Sequence, residues 1–404
     1  MKGNVYVAGM GVVSAIGDSV AASLESFRAH RSGIGKLTLF DSFYADSLPV
    51  GQVGLTNDVL ADRLGKPRTL SRTALLGLYA AREAVKSSAV TLSSWRAGII
   101  SATTVGGMDK TEQFFPAFAK DHQSGKLRAI VDHECGKSTE CIADDLHIHH
   151  FISTINTACS SSVNAIALGA RLIRHGQLDV VVAGGTDALS KFTINGFNSL
   201  MILDQKPCRP FDGGRTGLNL GEGAGFVVLV SEAVARAQHL ACRFVVSGFA
   251  NTNDAFHQTA SSPEGRGSFA AMTEALKMAD LPKEAIDYIN LHGTGTVNND
   301  ASEGAAVVRL YGDAASCPPM SSTKAFTGHT LGASGGIEAV FSLMALEHGC
   351  LLPNLRFENA IPEVGIVPQR TYEEGLDIRH VMSNSFGFGG NCSSIILSKL
   401  TSVA

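Results

Sequence analysis

"FISTINTACSSSVNAIALGARLI", residues 151–173, runs from an apolar strand through a turn of small residues into a helix. The strand covers Phe151–Ile155 and the helix Ser161–Arg174, with Gly176 as its stop. "PMSSTKAFTGHTLGASGGIEAVFSLMAL", residues 319–346, has the same order, with strand Met320–Thr323 and helix Ile337–Glu347. Two such units in one chain point to an internal duplication.

The flanking sequence extends the parallel. In the first half the pattern predicts further strands at Val5–Ala8, Gly98–Ser101, Val180–Ala183 and Phe226–Val230, and a helix over Arg72–Lys86 with Leu76, Tyr79, Ala80 and Ala84 on one face. In the second half it predicts strands Arg243–Phe249, Tyr288–Leu291, Val381–Asn384 and Ser394–Leu397, and helices Ser268–Met278 and Ala301–Leu310. Two alternating β/α series imply mostly parallel sheets covered by helices, with functional groups at the carboxyl ends of strands. No low-complexity or Pro-rich linker divides them.

Composition narrows the function classes. The 404 residues are 45% hydrophobic and 17% charged, with a net charge of −4, which fits a densely packed enzyme and gives no support for nucleic-acid binding. The opening "VYVAGMGVVSAIG" lacks a basic n-region and reads as a core strand and turn rather than a leader. No run reaches the ~18 apolar residues of a membrane span. Eight scattered cysteines, without a C-x-x-C pair or zinc spacing, read as reduced thiols in a cytoplasm.

The chemistry concentrates in the strand-to-helix turns. Cys159 sits where unpaired N–H groups of a helix start favour a thiolate, and its small neighbours Ala158, Ser160, Ser161 and Ser162 leave room for a substrate carbonyl. That motif alone fits a nucleophile and a buried structural cysteine equally well. "YINLHGTGTVNNDASE" ends a strand on His292, and "SSTKAFTGHTLGASGG" puts Lys324 and His329 in the matching turn of the second half. The duplication would bring both histidines towards Cys159. Glycines 387, 389 and 390 in "MSNSFGFGGNCSSIIL" allow close backbone approach, so an N–H near Phe388 could serve as an oxyanion donor, whereas "GEGAG" reads as a tight turn before a strand.

With these motifs in place, the chain resembles the elongating β-ketoacyl-acyl carrier protein synthases of the thiolase superfamily. The resemblance rests on "TACSSS", "VVVAGGTDA", "RPFD", "GEGAG", "LHGTGT", "SSTKAFTGHTLGASGG" and "NSFGFGG", in the family's order and nearly end to end. It implies an α/β fold: thiolase-like duplicated βαβαβ halves, 1–240 and 241–404, in a five-layer α-β-α-β-α sandwich. It implies an acyltransferase in which Cys159 takes an acyl group from a carrier-protein thioester. His292 and His329 then assist decarboxylation of malonyl-carrier protein, and the enolate attacks the acyl-cysteine.

The same resemblance gives Lys324 an orienting and electrostatic role, Glu303 a supporting one, and Thr294 and Thr296 the phosphopantetheine arm. Backbone N–H groups of Cys159 and Phe388 would form the oxyanion hole, with Phe388 also the gate; Val105, Thr193 and Phe197 would shape the acyl pocket. An acidic carrier protein would dock on Lys66, Arg68 and Arg72, with Lys206 and Arg209 next. No cofactor and no catalytic metal is required, since phosphopantetheine arrives on the carrier; some relatives hold a structural monovalent cation near the equivalents of Asn290, Glu338 and Asn384. The expected assembly is a homodimer, with a heterodimer with a sister subunit as the alternative. Fatty acid, polyketide and aryl polyene elongation all fit, as does the rival of a non-catalytic chain-length factor, which would be expected to lack the nucleophile. Asn391 and Cys392 stand where the family commonly has threonine and asparagine, which removes side chains that brace the gate loop.

Overall fold

The computed structural model describes residues 3–400. Its first half contains β1 (Val5–Ser14), α1 (Arg72–Ser88), β2 (Ala97–Ala102), α2 (Cys135–Asp145), β3 (Phe151–Ile155), α3 (Ser161–Arg174), β4 (Val180–Asp187) and β5 (Gly223–Ser231). The second half repeats the series with β6 (Phe244–Asn253), α4 (Arg266–Ala279), β7 (Tyr288–Asn290), α5 (Val297–Tyr311), β8 (Met320–Ser321), α6 (Ser334–His348), β9 (His380–Gly387) and β10 (Asn391–Lys399). Other short helices decorate the connections.

These ten strands form one sheet in the order β8-β7-β9-β10-β6-β1-β5-β4-β2-β3, and Ile34–Gly35 with Val50–Gly51 makes a separate two-stranded one. Read outward from its middle, each half has the same sequence of partners, so the duplication holds in three dimensions. The junction is narrow: β1 and β6 pair only through Tyr6 with Val245 and Val7 with Phe244.

The expectation of mostly parallel strands is corrected. β2 with β3 and β4, and β7 with β8 and β9, are parallel, but the five central pairings are antiparallel. Helical crossovers produce the parallel neighbours; β9 returns as β10 through the three-residue turn Phe388–Gly390, and such a return reverses direction. β1 also runs past the predicted turn to Ser14. Its Gly9 and Gly11 are sites of close helix approach: a Cβ there would lie 2.3 Å from the Ala84 carbonyl oxygen and 2.2 Å from that of Ala80, both on α1.

Alternation along the strands builds the layers. Val180 and Val182 face an outer cluster with Leu75, Leu78 and Ile142, while Val181 and Ala183 face a central cluster with Val163 and Ile166 of α3 and Val340 and Phe341 of α6. In the other half Val381 and Ile395 face the centre, and Met382 and Ile396 face α4 and α5 through Met272, Leu276 and Val307. The result is helix, sheet, helix, sheet, helix. α6 lies in the middle layer and is buried continuously from Ser334 to Leu346, which explains a sequence apolar on every side.

Candidate active site

Four strand ends meet at one cavity of about 310 Å3, lined by Cys159, His292, His329 and Phe388 among others. Each follows the carboxyl end of its strand, as the alternating pattern predicts. Cys159 is set by a tight turn: Ala158 adopts a left-handed φ of 53°, Ser160 Oγ donates to the Thr157 carbonyl at 2.8 Å, and the Thr157 N–H donates to Ser161 Oγ at 2.8 Å. α3 begins two residues later.

His292 follows β7. Its N–H and that of Gly293 donate to the two carboxylate oxygens of Glu303, each at 2.8 Å, so the carboxylate on α5 holds the histidine backbone from behind. Burial pushes Glu303 up to about 7 despite those two donors. Lys324 is buried; its Nζ donates to the His292 carbonyl at 2.6 Å, pairs with Glu338 of α6, and lies 3.3 Å from His292 Nδ1. His329 hangs from Asn219, whose carbonyl accepts its N–H at 2.7 Å, and its Nδ1 accepts the N–H of Leu331 at 3.1 Å.

These partners fix the protons. A ring nitrogen facing a backbone N–H or an ammonium must be an acceptor, so His329 and His292 each carry the proton on Nε2. Burial, with Lys324 nearby, holds both well below the usual histidine range, so both are neutral donors. The rings cross edge to face with centroids 5.3 Å apart, and one ligating atom from each, with the Cys159 sulfur, falls within a 4.8 Å cluster.

Burial pushes the Cys159 thiol up to about 12, although the Lys324 charge and the Phe388 N–H act the other way. Burial thus works against the thiolate that the helix start favours. Gly387 passes so close that a Cβ would sit 3.0 Å from the Cys159 nitrogen. That approach places the Phe388 N–H against the sulfur, while the Phe388 ring stacks on Phe197 at 6.0 Å.

Thr294 and Thr296 line the cavity, bond each other at 2.8 Å, and Thr296 also caps α5. Phe197 lines it too, but Val105 and Thr193 do not: Val105 packs with Leu189, Ile194 and Leu331, and the Thr193 hydroxyl is used in a capping box with Ser190. The gate loop is braced from β6, through Asn253 Nδ2 to the Gly389 carbonyl at 3.0 Å and the Asp254 N–H to that of Gly390 at 2.8 Å. Cys392 is buried with its sulfur 4.0 Å from Ser268 Oγ, so the brace does not use it.

The docking set is corrected at Arg72. It is buried, pairs with Glu222 at 2.6 Å and also donates to Leu55 and Asn57, so it staples the segment around residues 55–57 to the start of α1 and offers nothing to a partner. Glu222 thereby gives "GEGAG" a structural task beyond its turn. Lys66 pairs with Asp145, and Arg68 with Asp62. Lys206 and Arg209 instead line a cleft of about 630 Å3 that shares Thr216 with the catalytic cavity. Glu338, read from the sequence only as a neighbour of a cation, is the buried partner of Lys324, and one buried acid was missed as a site residue: Asp187, the charge that ends "VVVAGGTD". A single carboxylate inside an apolar run was the available signal.

Comparison with known proteins agrees with this geometry. The family description for the N-terminal domain of β-ketoacyl synthase matches residues 2–235, and that for the C-terminal domain residues 243–358. The 3-oxoacyl-[acyl-carrier-protein] synthase 2 of Staphylococcus aureus is 33% identical over 98% of both chains, and that of Coxiella burnetii 32% over 99% of both. Among solved structures, the ishigamide ketosynthase/chain length factor superposes with a TM-score of 0.92 at 30% identity, covering 99% of this chain and 100% of that one. A ketosynthase (ApeO) in complex with its chain length factor (ApeC) from Xenorhabdus doucetiae gives 0.84 at 31% identity, covering 98% of both.

Proposed function

The chain belongs to the β-ketoacyl synthase family, whose acyltransferase chemistry condenses an acyl thioester with malonyl-acyl carrier protein, and from that premise we propose how its own residues divide the reaction. The sulfur of Cys159 attacks the carbonyl of an acyl-carrier thioester; the tetrahedral oxyanion is held by the N–H groups of Cys159 and Phe388 and collapses to acyl-cysteine, with the carrier leaving as its free thiol. Malonyl-carrier protein then loses CO2. The electron pair of the broken C–C bond moves onto the thioester oxygen, which the Nε2–H groups of His292 and His329 stabilise as an enolate. Attack by the enolate carbon forms the new C–C bond and releases the Cys159 sulfur, giving a β-ketoacyl product two carbons longer.

The observation that carries this reading is the convergence of a thiol with two neutral Nε2–H donors in one buried cluster. It also favours a catalytic subunit over a chain-length factor, because the nucleophile is present. The test is intact-mass spectrometry of the protein with a panel of acyl-carrier proteins, then with malonyl-carrier protein. Loading that requires Cys159, followed by release of the elongated product, supports the reading; no loading, with a sister subunit also supplied, overturns it.

Carrier docking falls to Lys206 and Arg209, on the cleft beside the cavity, and the two threonines hold the incoming arm. For the assembly, β3 is a sheet edge with no partner strand among the described residues and Ile152 43% exposed, and the helix Met108–Lys120 in the connection from β2 to α2 has no buried residue. A second subunit of the same chain on this edge makes the homodimer. Light scattering separates it from a monomer that dimerises only with a sister chain, the arrangement in the ketosynthase/chain length factor relatives. A monovalent cation is proposed beside Asn290, whose buried Oδ1 and Nδ2 have no protein partner, and neighbouring Ser383 and Asn384; neutral oxygens of this kind suit such an ion. A melting temperature that rises in potassium over a bulky organic cation would support it. No described helix is long and apolar enough to cross a membrane, and the eight cysteines are free, which supports a reducing cytoplasm.

A further inference from the structure

We propose that Asp187 is a positioning residue for decarboxylation: it holds the turn that fixes the orientation and tautomer of His329. The proposal rests on the role given to His329 above.

Asp187 ends β4 and is completely buried, with no cation paired to it among the described residues. Five donors converge on its carboxylate. Thr103 Oγ1 reaches it at 2.6 Å, the Thr104 N–H at 2.9 Å, Thr104 Oγ1 at 2.7 Å, the Val105 N–H at 3.0 Å and the Gly332 N–H at 2.7 Å. Four of these come from the neighbouring loop of its own half. The fifth comes from the other half of the molecule, three residues after His329.

That fifth bond matters because of the residue between. Leu331 has a φ of 52°, a left-handed conformation that a leucine rarely adopts. In that conformation its N–H points at His329 Nδ1, and this contact is what puts the histidine proton on Nε2. The next residue, Gly332, is clamped on both sides: its N–H goes to Asp187, and its carbonyl accepts Ser162 Oγ from the start of α3. Gly332 has no room for more, since a Cβ would lie 2.9 Å from Asp187 Oδ2. Without the carboxylate, Leu331 is free to relax towards negative φ, which would withdraw its N–H from the ring and let the imidazole rotate or change tautomer. The oxyanion hole of Cys159 and Phe388 takes no donor from this turn, so acyl transfer to the cysteine should feel the loss far less.

The experiment measures the two half-reactions separately on the full chain: acyl loading of the cysteine by mass spectrometry, and conversion of malonyl- to acetyl-carrier protein. Asp187→Asn presents an amide where backbone N–H groups need an acceptor. The expected result is loading within about threefold of wild type and a roughly 10²-fold fall in decarboxylation, borne by kcat with KM for malonyl-carrier protein little changed. Ring 15N shifts of His329, assigned by their absence in His329→Ala, should move from a single Nε2–H pattern to a mixture. Gly332→Ala, which pushes the carboxylate from the turn without altering its charge, should give the same pattern and serves if Asp187→Asn does not fold. Folded variants with decarboxylation within threefold, equal losses in both half-reactions, or unmoved 15N shifts overturn the proposal. His329→Ala separates the two readings: if it leaves decarboxylation intact, the role of His329 itself fails; if it slows decarboxylation while Asp187→Asn does not, only Asp187 is acquitted.

Discussion

Across the catalytic cavity two strand-to-helix connections at equivalent places in the duplication face each other, the short turn from β3 to α3 with Cys159 and the longer one from β8 to α6 with His329, which includes the short helix Lys324–Thr327. In each, a left-handed residue immediately precedes the functional one, Ala158 with a φ of 53° and Gly328 with 70°. Beyond the backbone they part company. The cysteine has no side-chain partner and meets only the N–H of Phe388, whereas the histidine ring is held from behind by Leu331 and lies 3.0 Å from Ser334 Oγ. A nucleophile that must accept and release a chain needs a free face; a hydrogen-bond donor needs its far nitrogen fixed. Duplication gave two equivalent perches, and the partners around each decided what it became.

The largest test breaks the first perch alone. Cys159→Ala should lower condensation by about 10³-fold or more while malonyl decarboxylation persists, because both Nε2–H donors remain. Assays of elongated product and of CO2 release check the two halves. Breaking the second perch should do the converse: His329→Ala should keep acyl loading within a few-fold and cut decarboxylation by roughly 10²–10³, read in the same pair of assays.

A smaller effect addresses whether the first turn activates its cysteine at rest. With the thiol near 12, the thiolate fraction grows with pH throughout the range below that value, so alkylation of Cys159 by iodoacetamide should rise about tenfold per pH unit from 7 to 10 without levelling. A plateau near pH 8 would show that the helix start prevails over burial. The smallest change makes the perches alike: Ala158→Gly should relieve left-handed strain and alter stability by less than ~1 kcal/mol, detected as a small shift in thermal melting with loading unchanged.

Much of this was legible in the sequence, and the losses have a common cause. Phe151–Ile155 and Ser161–Arg174 are read correctly because strand and helix periodicity are local. Cys159, His292, Lys324 and His329 are legible because a duplication predicts that equivalent turns converge. Arg72 was misread because its partner Glu222 is 150 residues away, and nothing near an arginine in sequence tells a docking charge from a buried staple. The burial of Cys159 was not legible for a similar reason: the helix start is local, but the segments that close over the thiol come from throughout the chain. The antiparallel centre of the sheet likewise depends on which strands meet, a matter that hydrophobic pattern leaves open.

The position of α6 has a consequence for how the chain is made. β1, which leaves the ribosome before every other strand of the sheet, lies at its centre between β5 and β6, while the helix that covers the inner faces of both halves, Ser334–His348, is synthesised after the whole first half. A nascent chain that has completed its first half therefore carries an uncovered apolar face built from α3, β4 and β5, and is prone to aggregation until α6 emerges. The late helix also brings the histidine turn with it. The cavity around Cys159 is therefore complete only once that helix has docked, so the catalytic cluster and the core close together.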